Sequence, residues 1–302
     1  MPDATQPHNG LGANSDLEAL LNHLKCGHGF DFTGYKRSTL ARRIQHRMEK
    51  VPIQSYSEYL SYLQKHPDEF TALFNTIEIN FTQFFRNPAV WEYLTVEVIP
   101  RILANKPADA PIRVWSAGCS SGEEACTIAM VLAEALGLEQ FQQRVRLFAS
   151  DVDEAALLEA RQGRYLAEDV YNIPPALLER YFRLEQHHYV FHPDLRSSFI
   201  IFRHNLLQDA PMSDIDLLVC RNVLIYFDIE GQARALVRFY FSLNDNGFLF
   251  LGSAETGPNE LQLFSSIDLH HRLFTKSSKD HVNPKVLIKA LRQPRQPVQA
   301  GE

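Results

Sequence analysis

Apolar residues recur at helical spacing through the first part of the chain and give way, from Ile112 onward, to short apolar runs alternating with helical stripes. Leu17, Leu20, Leu21 and Leu24 share one face behind a candidate N-cap at Asp16, and Gly27 and Gly29 break the pattern. Leu40, Ile44 and Met48 are the apolar stripe of a second helix, Thr39 to Lys50. Ser55 or Ser57 caps a third helix through Leu63. Pro67 opens a fourth, Asp68 to Thr76, with Phe70, Leu73 and Phe74 inward. No strand-like alternation interrupts these helices. Residues 1–14, polar and rich in Pro, Asn and Gly, are expected to be disordered. The boundaries that follow are a helical domain over 15–87 and a linker helix (Ala89 to Leu103) with a Pro-containing hinge over 88–111.

The remaining pattern predicts a parallel sheet. Ile112 to Ser116 is a strand, Ala117 to Gly122 a glycine turn, and Glu123 opens a helix with Ile128, Val131, Leu132, Ala135 and Leu136 inward. Val145 to Ser150 is a second strand closing in Asp151 and Asp153, followed by a helix from Glu154 to Gln162 that Gly163 stops. A short helix from Pro174-Pro175 to Tyr181 precedes Phe182–Leu184, His188–His192 and Ser198–Phe202. These three read as a small antiparallel insertion, about 180–204. Ile215 to Cys220 is a buried strand, Glu230 to Leu243 an amphipathic helix, Asn246-Gly247 a turn, and Phe248 to Gly252 a further strand. Leu269 to Lys276 is the last strand of an α/β domain over 112–276, and 277–302 is expected to be a flexible tail.

With 302 residues, 45% hydrophobic and 22% charged, the composition is that of a globular protein of one large or two ordinary domains. A net charge of -6 argues against a dedicated nucleic-acid binder. The cysteines Cys26, Cys119, Cys126 and Cys220 form no CxxC pair, so neither a metal site nor a disulfide framework is expected. No signal pattern and no apolar run of membrane length is present, and the chain reads as cytoplasmic.

Strand, glycine turn, helix is the opening of a nucleotide-type site, because glycines let the backbone approach a ligand and a helix N-terminus offers unpaired N–H groups. Two common ligands are disfavoured. No Lys-Ser/Thr follows Gly122, and Gly118-x-x-x-Gly122 lacks the three glycines of the dinucleotide fingerprint, which sets aside a nicotinamide oxidoreductase. Glu123 and Glu124 would repel a phosphate and suit a cationic end such as that of S-adenosylmethionine. An acidic residue closing the second strand suits a ribose: Asp151 takes that role and Asp153 caps the next helix. Asn205 is either a strand-end residue near an adenine or a turn residue. Cys119 is first a small residue in a tight turn, and second a reactive thiol. The segment Glu78 to Asn87 is aromatic-rich yet carries Asn80, Thr82 and Arg86, which need partners.

Four segments, INFTQFFRN, VWSAGCSSGEEACTIAM, ASDVDEAALLEARQGRY and DLLVCRNVLIYFD, resemble in order and spacing the chemotaxis receptor methyltransferases, the CheR family. The resemblance covers roughly 16–276. It implies a Rossmann-like S-adenosylmethionine-dependent methyltransferase domain with a small antiparallel β-subdomain, preceded by a small all-α domain. It also implies methyl transfer to glutamate side chains on receptor helices, a protein-glutamate O-methyltransferase activity that leaves S-adenosylhomocysteine. Carried over by motif, Asn80, Thr82, Arg86 and Gly118 fall in the cofactor site, Glu123 at the methionine part and Asp151 at the ribose. Asn205, Leu206, Asn222 and Val223 line the adenine and methionine ends. Arg86 and Tyr226 resemble the catalytic pair. No metal is implied. The alternative is a catalytically silent cofactor-binding signalling scaffold.

The basic helix bearing Arg42, Arg43 and Arg47 is either a solvated face or a docking surface for glutamate-rich receptor helices, and the resemblance favours docking. Some members of the family bind a receptor's C-terminal pentapeptide through a glycine-containing loop. The corresponding Arg183 to Leu195 has no glycine, so a tether-independent enzyme is expected, working as a monomer without membrane insertion.

Overall fold

The computed structural model describes residues 10–28, 30–78, 80–255, 261–278 and 287. They fall into two compact units: the chain up to 79 with Tyr226–Asp228, and Asn80–Ile225 with the chain from Ile229 on.

The first unit holds α1 (Gly10–His28), α2 (Arg37–Lys50), α3 (Tyr56–Lys65) and α4 (Asp68–Ile77). Leu17, Leu20, Leu21 and Leu24 are buried as their spacing requires, and α1 packs on α3 while α2 packs on α4. Ser55 is the cap of α3, its side chain accepting the Glu58 N–H. Phe30 lies 4.6 Å from Phe32 and 4.9 Å from Phe74, ring centre to ring centre. Tyr35 meets Phe227 at 5.0 Å, and the Lys36 N–H donates to the Tyr226 carbonyl at 2.9 Å.

Two expectations for this unit change. Helix α1 starts at Gly10, inside the stretch expected to be disordered, so Asp16 is not its cap and Gly27 does not break it. Once the leucine face is packed, each residue added at the N-terminus gains a hydrogen bond without paying for a new nucleus. Residues 1–9 and Gly29 lie outside the described residues.

The second unit opens with α5 (Pro88–Tyr93), a π turn over Leu94–Val98, and α6 (Ile99–Ala104). Pro100 explains the π turn: it has no N–H to give the carbonyl four residues back, and its ring crowds that carbonyl. This stretch was expected to be a linker. Its Trp91, Leu94, Val98, Ile99 and Ile102 instead join the core of the second unit, together with Phe84 and Phe85. The division therefore falls after 79, ahead of the expected boundary at 87.

Next come β1 (Ile112–Ala117), α7 (Glu123–Leu136), α8 (Leu138–Arg144), β2 (Val145–Asp151), α9 (Glu154–Gln162) and β3 (Arg164–Tyr165). They are followed by α10 (Pro175–Tyr181), β4 (Phe182–Glu185), β5 (His188–Phe191), α11 (Pro193–Arg196), β6 (Phe199–Arg203) and β7 (Ile215–Cys220). The described part closes with α12 (Ile229–Ser242), β8 (Leu243–Leu251), β9 (Phe264–Asp268) and β10 (Leu273–Lys276). Seven strands run in the order β6-β2-β1-β7-β8-β10-β9. The first five are parallel, and β10 and β9 are antiparallel at one edge. All six residues of β7 are buried, as a central parallel strand covered on both faces requires. Chain order reverses between β1 and β7, so their carboxyl ends flank the crevice where such sheets bind ligands.

The small antiparallel sheet is β3-β5-β4. Phe199–Arg203, expected in that insertion, instead pairs parallel with β2, from Leu147↔Phe199 to Asp151↔Arg203. A short apolar run carries no mark of its partner strand, and this pairing spans some fifty residues of chain. Asn246-Gly247 lies within β8, at the irregularity of its register with β7, and β10 starts at Leu273 rather than Leu269. Helices α8 and α11 and strand β9 had no prediction. Beyond Ser277, Ser278 and Leu287 the tail lies outside the described residues.

Candidate active site

The glycine turn is built by two main-chain bonds across the sheet. Gly118 and Cys119 N–H both donate to the Ser150 carbonyl, at 2.7 and 2.9 Å, which bends the chain over the end of β2. Gly118 sits at φ 83°, and a Cβ there would come within 2.3 Å of Val223 Cγ2. Glycine is required on both counts. Gly122, at φ 98°, then precedes α7.

Asp151, at the end of β2, organises the floor. Its Oδ2 accepts the Ser120 N–H at 2.8 Å, and its Oδ1 accepts those of Val152 and Asp153 at 2.7 and 3.1 Å. Burial nevertheless pushes its carboxyl above the usual range. Asp153 caps α9 through Ala155 and Ala156, and its other oxygen accepts Asn80 Nδ2 at 2.5 Å. The Asn80 carbonyl accepts Ser120 Oγ at 3.3 Å, and Phe85 N–H donates to Thr127 Oγ1 of α7 at 3.2 Å. The aromatic segment is thus laced along the glycine turn, with Phe84 wedged edge-on against Tyr165 and Phe182. Thr82 is half-buried in it.

Glu123 and Glu124 start α7 as buried carboxyls. Ser121 Oγ donates to Glu123 at 2.9 Å, and Ser116 Oγ donates to Glu124 at 2.8 Å. Burial pushes both up to about 7, with Arg221 holding Glu124 down from 3.9 Å. Cys119 is buried in the turn, and burial raises its thiol well above its usual range.

At the end of β6, His204 N–H donates to the Asp151 carbonyl at 2.9 Å, bringing Asn205 and Leu206 beside the floor. Asn205 Oδ1 accepts the Leu207 N–H at 2.9 Å, the behaviour of a turn residue, and Leu206 is buried. At the end of β7, Asn222 adopts φ 62° and Val223 faces Gly118.

Arg86 is half-buried, its guanidinium 5.6 Å from the Phe81 ring centre and donating to the Phe81 carbonyl at 3.4 Å. Its own carbonyl accepts Trp91 Nε1 and Arg221 Nη2, each at 3.0 Å. The expected residues Asn80, Gly118, Glu123, Asp151, Asn205, Leu206, Asn222 and Val223 therefore gather at or beside the carboxyl ends of β1, β2, β6 and β7. Tyr226 belongs to the first unit.

Sequence reasoning missed two side chains. Arg221 is buried, donates to the Asn87 side chain at 2.9 Å, and lies 5.2 Å from the ring centres of both Trp91 and Phe250. Glu255 is buried against the Val223 and Leu224 N–H groups. Arg221 directly follows the buried strand β7, which was the available signal, whereas Glu255 stands four residues past the end of β8 and carried none.

The basic helix divides. Arg42 is exposed and Arg43 half-buried. Arg47 is held bidentately by Glu69, at 2.8 and 2.7 Å, and Tyr59 hydroxyl donates to the same carboxylate at 2.7 Å. Arg47, read from the sequence as a docking residue, thus ties α2 to α3 and α4. We expect Glu69→Ala to lower stability by about 2–3 kcal/mol in urea unfolding, below the full figure for a buried pair because Arg47 keeps some solvent contact. A loss within about 0.5 kcal/mol would mean that the triad does not hold the helices together. Arg47 hydrogen bonding holds the Glu69 carboxyl below the usual range, so this contribution is present above the unfolded carboxyl value and is lost as pH falls below it.

A five-stranded parallel sheet with an antiparallel edge hairpin, a glycine turn ending β1 and a carboxylate ending β2 define a Rossmann-like methyltransferase fold. Buried carboxyls at the start of α7 and a turn that a single Cβ would fill fit a ligand with a cationic end approached closely by backbone. Residues 80–273 match the family model described as CheR methyltransferase, SAM binding domain, and residues 15–77 match CheR methyltransferase, all-alpha domain. The chain belongs to the CheR methyltransferase family, and its cofactor is S-adenosylmethionine.

It is 36% identical over 257 residues to chemotaxis protein methyltransferase 2 of Vibrio cholerae, covering 83% of this chain and 86% of that protein. It is 33% identical over 244 residues to the chemotaxis protein methyltransferase of Escherichia coli, covering 75% and 79%. An uncharacterized 104.1 kDa protein of Rhodobacter capsulatus is 33% identical over 272 residues, 90% of this chain but only 28% of that protein's length. Among solved structures, a TehB-like SAM-dependent methyltransferase from Corynebacterium glutamicum aligns over 63% of this chain and all of its own, with a TM-score of 0.35 and 16% identity. No helix among the described residues is long and apolar enough to cross a membrane.

Proposed function

We propose that this chain methylates glutamate side chains on the cytoplasmic helices of methyl-accepting chemoreceptors. The observation that carries the reading is the joint presence of the cofactor crevice and a half-buried Arg86 whose guanidinium donates to the Phe81 carbonyl at a long 3.4 Å, in a chain 33–36% identical to proteins named chemotaxis methyltransferases.

S-adenosylmethionine supplies a methyl group on a sulfonium leaving group, which needs neither a metal nor a strong base. An acceptor glutamate, with a pKa of about 4.3, is already an anion at neutral pH. The protein's task is then positioning. Arg86 orients the acceptor carboxylate, loosely enough that the charge can be lost as the ester forms, and Tyr226 is a second catalytic residue. Glu123 takes the methionine ammonium and Asp151 the ribose hydroxyls. Asn80 and Thr82 complete the wall. Asn205, Leu206, Asn222 and Val223 line the adenine and methionine ends. Arg42 and Arg43 dock the acidic receptor helix, so charge reversal at these two is expected to raise substrate KM while leaving cofactor affinity unchanged. The glycine-free β4–β5 hairpin, turning at Gln186 with φ 56°, supports recognition without a C-terminal tether.

The test is transfer of labelled methyl to receptor cytoplasmic fragments. A base-labile product, released as methanol, supports a carboxyl ester. A base-stable product, or no transfer to any fragment, would overturn the proposal.

The raised Glu123 carboxyl gives a pH signature. Between the ordinary carboxyl value and about 7 the folded chain binds more protons than the unfolded one, so this group's contribution to stability falls as pH rises through that window. A cationic ligand favours the ionised form and expels the proton. Affinity for S-adenosylmethionine is therefore expected to rise by up to about tenfold per pH unit below pH ~7 and to level off above it. Calorimetry in buffers of different ionisation enthalpy counts the proton released. Glu123→Gln should reduce that count, and an unchanged count would remove Glu123 from the ammonium site.

A further inference from the structure

We propose that Glu255 is a positioning residue of the cofactor crevice, its one buried carboxylate setting where the Asn222–Leu224 loop stands against the glycine turn. This rests on the reading of the crevice as the cofactor site and adds a residue outside its motif segments.

Glu255 is 1% exposed. Its Oε1 accepts the N–H groups of Val223 and Leu224, each at 2.8 Å, and its Oε2 accepts that of Gly252. The Asn222 N–H adds to the same carboxylate. A single side chain thus satisfies main-chain donors at the ends of both β7 and β8. Buried donors of this kind are costly to leave unpaired. Gly252 is shaped to the arrangement, since a Cβ on it would lie 2.9 Å from both the Asn222 nitrogen and Glu255 Oε2.

The loop so held places Asn222 at φ 62° and seats Val223 against Gly118. Glu255 therefore acts on the ligand through Val223: releasing its donors lets the loop turn toward water and withdraws Val223 from the turn. Burial raises the Glu255 carboxyl despite its several donors.

Asp216 provides the matched control. It too is buried, lies on β7 at the opposite end of the strand, and accepts the Arg113 N–H at 2.9 Å and Asn244 Nδ2 at 2.7 Å, with Lys106 Nζ at 2.6 Å. Asp216→Asn damages the same strand away from the crevice.

The experiment titrates the full chain with S-adenosylhomocysteine in a calorimeter, for wild type, Glu255→Gln and Asp216→Asn, at a temperature where thermal melts show each folded. A glutamine can present an acceptor to only one of the two donor groups. Its affinity is expected to fall by at least about tenfold, while Asp216→Asn stays within about twofold of wild type for a similar loss of Tm. Equal affinity of Glu255→Gln and wild type, or an equal loss in both variants, overturns the proposal. If Glu255→Gln is not recovered folded, Glu255→Asp keeps the charge but is one methylene too short to reach both groups. It is expected to bind more weakly than wild type, and unchanged affinity again overturns the proposal. A wild type that binds neither sulfur cofactor overturns the crevice reading itself, which separates the two failures.

Discussion

Gly118→Ala is expected to weaken S-adenosylhomocysteine binding by about a hundredfold or more. Two costs combine. A backbone at φ 83° strains an L-residue by about 1–3 kcal/mol, and the new methyl would sit 2.3 Å from Val223 Cγ2, an overpacking of about another 1–3 kcal/mol. The free protein can relieve both by parting the glycine turn from the Asn222–Val223 loop, and binding must then close that gap again. The costs separate in a double variant. Gly118→Ala with Val223→Ala removes the overlap and leaves the strain, so it should recover about tenfold of the lost affinity. Calorimetric titration with a thermal melt of each variant checks both statements. Wild-type affinity in Gly118→Ala would mean that the turn does not cradle the cofactor.

Arg86→Ala is expected to lower kcat by about 10²–10³ and to change cofactor affinity by about tenfold or less, taking the loss from a single positioned charged donor as the guide. The structure makes this a clean experiment. What anchors position 86 is its carbonyl, through Trp91 and Arg221, while its guanidinium donates to the Phe81 carbonyl at 3.4 Å and lies 5.6 Å from the Phe81 ring centre. Truncation removes the charge and leaves the main chain fastened, so lost turnover will not be lost folding. Arg86→Lys should fall between the two, since it keeps the charge without the planar fork. Initial rates on a receptor fragment, at saturating and subsaturating cofactor, divide the effect between kcat and KM. Unchanged turnover together with unchanged affinity would exclude Arg86 from both roles.

What the sequence determined by itself is what local chemistry can determine. The strand, glycine turn and helix from Ile112 to Leu136 were legible because apolar period, turn residues and helix start follow one another within a few positions. For the same reason Asp153 read correctly as a cap, and the cap of α3 was narrowed to Ser55 or Ser57, of which the fold uses Ser55. Asp151 and Asn222 could be singled out because polar residues within two positions of the end of a buried strand are few.

Tertiary structure decided which of these groups face one another. The basic stripe of α2 gives no sign that Arg47 points at Glu69, because a surface arginine and a paired one have the same spacing along a helix. Phe199–Arg203 is a strand by its own residues, but its place beside β2 depends on a pairing across some fifty positions. Arg221 finds the Arg86 carbonyl across 135 positions, and Glu255 finds Val223 across 32. A propensity is spent within one turn of helix or one strand. A buried charge is satisfied wherever closure of the whole chain brings unpaired donors to it, and only the folded arrangement says where that is.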